Sequence, residues 1–259
     1  MAGLAHQLAQ AIRGHGLASF AVGCVAAAFL ASLATGVVAS QKPDGSAGET
    51  RAVEISAYPL FSFLRSGQDT RQFGSLRVLG GLILYANDKA FGGYSGIELS
   101  PDGTSLLAVS DAGTWLRADL ISAGGRPTGL KRGRIGPLMA LGSRRLSRSR
   151  DRDAEGLRLV KGSLDDGVAL ISFERNERIG YFDIAKGELR APARYLRPPR
   201  RLPQNKGMEA VAVLKHVAQK GRVMAFAERS TDANGHPRGW IWVEGRPRAI
   251  ALTDVGGFD

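Results

Sequence analysis

FGGYSGIELSPDGTSLLAVSDAG, residues 91–113, is the stretch whose reading decides the fold. Gly92-Gly93 opens it as a turn, and Gly96-Ile97-Glu98-Leu99 follows as a short apolar strand carrying one carboxylate. Pro101-Asp102-Gly103 reads as a hairpin turn, because proline presets φ and glycine accepts φ > 0. Residues 106–109 (LLAV) form a continuous apolar run of the length of a buried strand, and the run ends in the polar pair Ser110-Asp111. A strand hairpin therefore holds one carboxylate near its start and another at its end.

The same pattern recurs twice further along. Ala154-Glu155-Gly156-Leu157 precedes Asp165-Asp166-Gly167 and an apolar run closing on Glu174. Gly207-Met208-Glu209-Ala210-Val211 precedes Gln219-Lys220-Gly221 and a run closing on Glu228. Glu98, Glu155 and Glu209 stand 57 and 54 residues apart (155 − 98; 209 − 155). An aromatic strand follows in each unit, at residues 114–116, 179–182 and 239–242. A fourth strand closes each, near 133–138, 189–196 and 247–252. Four strands in a repeat of about 50 residues is the signature of a propeller blade. The fold class predicted is all-β, an array of four-stranded blades preceded by an apolar helix.

A chain of 259 residues with 44% hydrophobic residues, 34 Gly and 11 Pro suits a turn-rich globular β protein rather than a disordered one. The formal net charge of +11 favours solubility and attraction to anions, such as phosphate esters or anionic envelope surfaces. Residues 1–40 read as a signal peptide or a membrane anchor. Arg13 supplies the positive end, and residues 17–38 are 22 residues without a charge. Val37-Val38-Ala39 suits cleavage before Ser40 or Gln41, whereas the uncleaved run is long enough to span a bilayer. The expected location is the periplasm or the exterior, with an inner-membrane anchor facing the periplasm as the alternative. Membrane contact is expected only through residues 17–38, if they are retained. Cys24 is the single cysteine, so the remainder has no disulfide and no thiol chemistry.

Residues 41–72 read as a linker and lead-in strand. Alternation at Val53, Ile55 and Ala57 predicts one strand over 52–60, followed by a polar loop over 64–72. Residues 73–79 and 82–86 read as two strands around Gly80-Gly81, and residues 73–259 as the propeller array. The basic run at 131–152 reads as a solvated surface loop. No aromatic residue interleaves with it, which argues against stacking of bases, so no specific nucleic-acid partner is expected.

FGGYSGIELSPDGTSLLAVSD, DAEGL (153–157), ISFERNERI (171–179), NKGMEAVAVL (205–214) and FAERS (226–230) together resemble the family named for the esterase-like activity of phytase. The resemblance runs from about Gly74 to Asp259 and implies an exported bacterial propeller-like domain with a hydrolase-type activity on esters. Domains of that family continue beyond the length seen here. Gly256-Gly257-Phe258-Asp259 looks like the opening of another unit, 51 residues after Gly207 (258 − 207). The expectation is a propeller incomplete at its C-terminal end, an open arc.

The repeated carboxylates are the candidate chemistry. In a propeller the first strand of each blade lines the axis, so Glu98, Asp111, Glu155 and Glu209 are expected to converge as oxygen ligands for a hard cation such as Ca²⁺. Glu155, Glu174, Arg175, Glu209, Glu228 and Arg229 are the candidate catalytic residues. Lys206, Arg175 and Arg229 are expected to bind a small anionic ester or phosphoester. The opposing reading of the same residues is a set of glutamate–arginine pairs holding adjacent blades together. Other chemistries find little material. Gly93-Tyr94-Ser95-Gly96 lacks the final glycine of a nucleophile elbow, position 97 being Ile97, so Ser95 reads as a turn residue. His6 and His15 fall in the leader, and His216 and His236 in connectors, which leaves no triad and no zinc set. No Walker motif or dinucleotide fingerprint is present. Trp115, Trp240 and Trp242 read as core. The function expected is hydrolysis of phosphate or carboxylate esters; the alternative is a non-catalytic propeller that binds an envelope partner or a polyanion.

Overall fold

The computed structural model describes residues 49–60, 64, 71–199, 202, 207–215 and 220–252. The chain divides into two units, Met1–Pro43 and Asp44–Asp259. The predicted leader helix, its cleavage site, Lys206, His216 and the fourth unit expected from Phe258 lie outside the described residues.

Short strands lead in: β1 (Arg51–Ala52), β2 (Ser56–Pro59), β3 (Gln72–Phe73), β4 (Leu76–Arg77) and β5 (Leu82–Tyr85). Three large antiparallel sheets follow. The first holds β6 (Tyr94–Leu99), β7 (Ser105–Ser110), β8 (Thr114–Ala123) and β9 (Arg126–Pro137), with β1 added at its outer edge in the order β1-β9-β8-β7-β6. After the small hairpin of β10 (Met139–Ala140) and β11 (Arg144–Arg145), the second sheet runs in chain order. Its strands are β12 (Ala154–Gly162), β13 (Asp166–Phe173), β14 (Arg178–Ala185) and β15 (Glu188–Leu196). The third does the same with β16 (Met208–Val213), β17 (Val223–Thr231), β18 (Pro237–Val243) and β19 (Arg246–Ala251). This is an all-β architecture of repeated four-strand units, consistent with propeller blades; no closed ring forms among the described residues.

Burial explains why the second strand of the first two units is apolar on both faces. Along β7, Leu107 and Val109 join a core that includes Ile171, Phe173 and Phe182 of the second sheet. Their neighbours Leu106 and Ala108 point to the other side, into a core closed by Val53, Ile55, Leu84 and Phe91 of the lead-in segment. In β13, Ala169, Ile171 and Phe173 face the first sheet, while Leu170 faces Met208, Ala225 and Trp240 of the third. A strand sandwiched between two sheets has no solvated face, so its sequence loses the alternation of an ordinary antiparallel strand. Trp115, Trp240 and Trp242 are all buried in these cores.

Two glycines set how closely the first strands approach. A Cβ on Gly96 would lie 2.8 Å from the Glu155 carbonyl oxygen, and one on Gly156 would lie 2.8 Å from that of Glu209. Strands β6, β12 and β16 therefore run side by side at backbone contact, which concentrates whatever their side chains carry.

Several local expectations are corrected. Residues 52–60 are two strands, β1 and β2, because the chain leaves β9 after Val53 donates to the Gly133 carbonyl (2.9 Å) and then pairs with β5. Residues 73–79 are no single strand: Gly74, at φ 59°, folds β3 onto β4 in a tight hairpin. The fourth strand of the first unit begins at Arg126 rather than near Gly133. Gly124 and Gly125 both have positive φ (58° and 73°), the geometry of a two-residue hairpin turn that extends both flanking strands. The basic run at 131–152 is therefore a solvated connector only in its second half, residues 141–152 being largely exposed. Lys131, Arg132 and Arg134 lie on β9, Arg144 and Arg145 on β11, and Arg150 and Arg152 in the single helical turn Ser149–Arg152. Arg134 bridges to the second sheet through Glu188 (3.3 Å) and the Lys186 carbonyl (2.7 Å).

Candidate metal centre

Each unit closes its first hairpin with the same backbone bond. The N–H groups of Asp111, Glu174 and Glu228 donate to the carbonyls of Gly93, Asp153 and Gly207 at 3.0, 2.8 and 3.0 Å. A register irregularity in each first strand follows, between Tyr94 and Gly96, Ala154 and Leu157, and Met208 and Ala210. Such bulges re-aim one side chain out of the pleat. The units therefore superpose as Gly93, Ser95, Asp111; then Asp153, Glu155, Glu174; then Gly207, Glu209, Glu228.

This register corrects the placement of Glu98. Ser95, not Glu98, is the first-unit counterpart of Glu155 and Glu209. Glu98 sits three residues further along β6, where its carboxylate pairs with Arg158 of β12 at 2.9 Å and also accepts the Leu159 N–H at 3.3 Å. It is a strut between two sheets. Glu98→Gln is expected to leave cation binding unchanged and to lower stability by less than about 1 kcal/mol, as for a partly exposed ion pair. A chemical denaturation curve beside a Ca²⁺ titration checks both halves of that expectation.

The remaining acidic residues come together. Carboxylate oxygens of Asp153, Glu155 and Glu174 lie within 4.8 Å of one another, and so do those of Glu174, Glu209 and Glu228. Glu174 belongs to both groups. It is buried, and its Oε1 accepts the Gly207 N–H at 3.2 Å, so the second sheet's carboxylate is held against the third sheet's backbone. Asp111 contributes charge to Asp153 from the first sheet. Five carboxylates thus come together, Asp111 being in neither group although it was expected as a ligand, and two guanidiniums touch them. Arg175 Nε lies 2.8 Å from Asp153 Oδ2, a charge contact without the alignment of a hydrogen bond, and Arg229 Nε lies 3.1 Å from Glu228. Both arginines are solvent-exposed, Arg229 more so than Arg175.

The electrostatics follow from burial and crowding. Burial pushes the Glu155 carboxyl up to about 7, helped by the negative charges of Glu209, Asp153 and Glu174 and opposed by the Ser95 hydroxyl. Asp153 is raised by burial, and further by Glu174 and Asp111, against the pull of Arg175. Glu209 is raised by burial and by the charges of Glu228, Glu174 and Asp153. Crowded carboxylates of this kind are relieved either by protons or by a cation.

Two residues escaped sequence reasoning. Asp153 occupies the position held by glycine in the other units, and a carboxylate there adds a ligand to the cluster. Ser95 was read as a turn residue, yet it lies on β6, at the place that Glu155 and Glu209 take in the other units. Aligning Gly96 with Gly156, and Ile97 with Leu157, exposes both. Among the described residues the cluster has no histidine or cysteine, so its donor set is oxygen alone, the set that hard divalent cations take.

Repeated four-strand sheets, consistent with propeller blades, bring carboxylates together from their first and second strands into an acidic cluster that could hold a cation. Residues 89–256 match the phytase-like family model, described as esterase-like activity of phytase. The match covers more than half of the chain, and the chain belongs to that family. No curated protein matches it.

Proposed function

We propose that this protein is a hydrolase of phosphate or carboxylate esters whose centre is the cluster of Asp153, Glu155, Glu174, Glu209 and Glu228, working with bound Ca²⁺. The observation that carries the reading is the convergence of these carboxylates from adjacent sheets in a protein that is otherwise strongly basic. Ca²⁺ suits them because it accepts six to eight oxygen ligands in flexible geometry. A bound cation supplies polarisation of the ester or phosphoryl group and neutralises charge that builds during attack.

The chain's own residues do the rest. Arg175 and Arg229 receive the anionic oxygens of the substrate through charge-assisted hydrogen bonds, each starting from its contact with Asp153 or Glu228. Glu155, whose carboxyl is raised by burial to about 7 without cation, gives up that proton as the cation binds and then serves as a charged oxygen ligand. The Ser95 hydroxyl acts in the opposite sense to that burial, favouring the ionised carboxylate. Lys206 directly precedes Gly207 and completes the proposed anion-binding set. Export, by cleavage near Ser40 or by retention of residues 17–38 as an anchor, belongs to the same proposal.

The test is hydrolysis of a generic phosphomonoester and a generic carboxylester by full-length protein, with and without chelator. Activity on one of them, lost on chelation and restored by Ca²⁺, is the expected result. Inactivity on both at saturating Ca²⁺, together with retention on a polyanion column, would instead identify a binding module.

A further inference from the structure

A cavity of about 250 Å³ lies in the groove between the second and third sheets. Tyr181 and Arg194 line it from β14 and β15. Lys220 and Arg222 come from the β16–β17 connection, and Trp242 and Glu244 from the end of β18 and the turn after it. The connections β16–β17 and β18–β19 are at the opposite end of the third sheet from Glu228, which sits towards the other end of β17. The cavity is therefore separate from the carboxylate centre.

Its charge is cationic and locally unspent. Among the described residues, Arg194, Lys220 and Arg222 form no ion pair with a carboxylate. The Arg194 guanidinium is not free to wander, because it stacks 3.9 Å above the Tyr181 ring. Stacking leaves the in-plane N–H groups of a guanidinium available to an acceptor. Trp242 is buried and gives the groove a rigid wall. Glu244 is the single acidic lining residue, against three cations. The volume falls below that of pockets for drug-sized ligands, which run from roughly 300 Å³ upward, so a small polar anion fits better than a large organic molecule.

We infer that this groove is a phosphate-binding site, taking inorganic phosphate or the phosphoryl group of a small soluble ester, with Arg194 and Arg222 as its principal ligands and Lys220 supplying further charge. The inference does not rest on the proposed hydrolase activity.

Isothermal titration of full-length protein with inorganic phosphate tests it, with glycerol phosphate as a separate arm that tells free phosphate from an esterified group. The expected result is saturable binding in at least one arm, weakened about tenfold or more in Arg194→Ala and in Arg222→Ala, as for loss of a charge-assisted hydrogen bond. Glu244→Gln is expected to tighten binding several-fold by removing a repulsive charge, an effect that misfolding cannot imitate. Glu209→Gln and Arg229→Ala, both in the carboxylate centre, are expected to leave phosphate affinity at this site unchanged. No saturable binding in either arm, affinities equal across the groove variants, or loss of binding only on altering Arg175 or Arg229, would overturn the inference.

Discussion

Glu174→Gln is expected to weaken Ca²⁺ binding by about a hundredfold and to abolish any Ca²⁺-dependent ester hydrolysis, while the fold survives. The substitution keeps a side-chain oxygen that can accept the Gly207 N–H, so the tie between the second and third sheets is retained. What it removes is a charge shared by both groups of carboxylates, and Ca²⁺ affinity is tuned strongly by the number of charged ligands. Glu155→Gln and Glu209→Gln each belong to one group only and are expected to produce smaller losses, on the order of tenfold. The same variants are expected to change stability in the opposite direction when cation is absent. Glu209 is destabilised as an anion by burial and by Glu228, Glu174 and Asp153, so removing its charge relieves repulsion and raises the melting temperature in chelator. Calorimetry and thermal melts with and without Ca²⁺ read both effects. An unchanged Ca²⁺ affinity in Glu174→Gln, or a parent protein that binds no Ca²⁺, would leave the cluster as inter-sheet ion pairing.

The blades were legible in the sequence because their marks are local. A Gly-containing turn, a short apolar run and an aromatic strand recur near every 50 residues, and the runs of β7 and β13 are continuous because both faces are buried. The acidic residues at the ends of those second strands were equally legible, since Asp111, Glu174 and Glu228 occupy one position in all three units. The first-strand position was harder. Matching glutamate to glutamate placed Glu98 in the series, whereas matching the close-approach glycines Gly96 and Gly156 places Ser95 there. The difference is three residues, and only the bulge and the contact between neighbouring backbones distinguish the two registers. The arginines of 131–152 show the same limit. Their charge suggested a loop throughout, but a two-glycine turn at Gly124-Gly125 extends β9 beneath Lys131, Arg132 and Arg134, and Arg134 pairs with Glu188 of the next sheet. Charge says where water is tolerated; it does not say which strand ends where.

Without divalent cation, the domain is expected to become less stable as pH rises from 5 to 8, the reverse of ordinary acid lability. The sign comes from Glu155, whose folded-state carboxyl is raised from 4.5 to about 7. The fold binds that proton more tightly than the unfolded chain does, so the contribution is fully present below about pH 4.5 and is lost as pH rises through 7. Asp153 and Glu209 are shifted the same way and add to the slope. The lowered groups Asp88, Asp102 and Asp232 change their contribution only below about pH 4, outside this window. Each pKa unit corresponds to about 1.4 kcal/mol, but Glu155 is only half-buried, so solvent screening brings the net loss to roughly 1–2 kcal/mol. For a domain of this size that is a fall in melting temperature of roughly 3–6 °C. Saturating Ca²⁺ is expected to reverse the slope, because the cation competes with protons for the same oxygens and binds better as they leave. Melting curves at pH 5, 6, 7 and 8 in chelator and in Ca²⁺ should therefore converge at the acid end and diverge at the alkaline end. Two flat, parallel series would show that these carboxylates neither hold protons unusually tightly nor exchange them for a cation, and the centre would then have no basis in electrostatics.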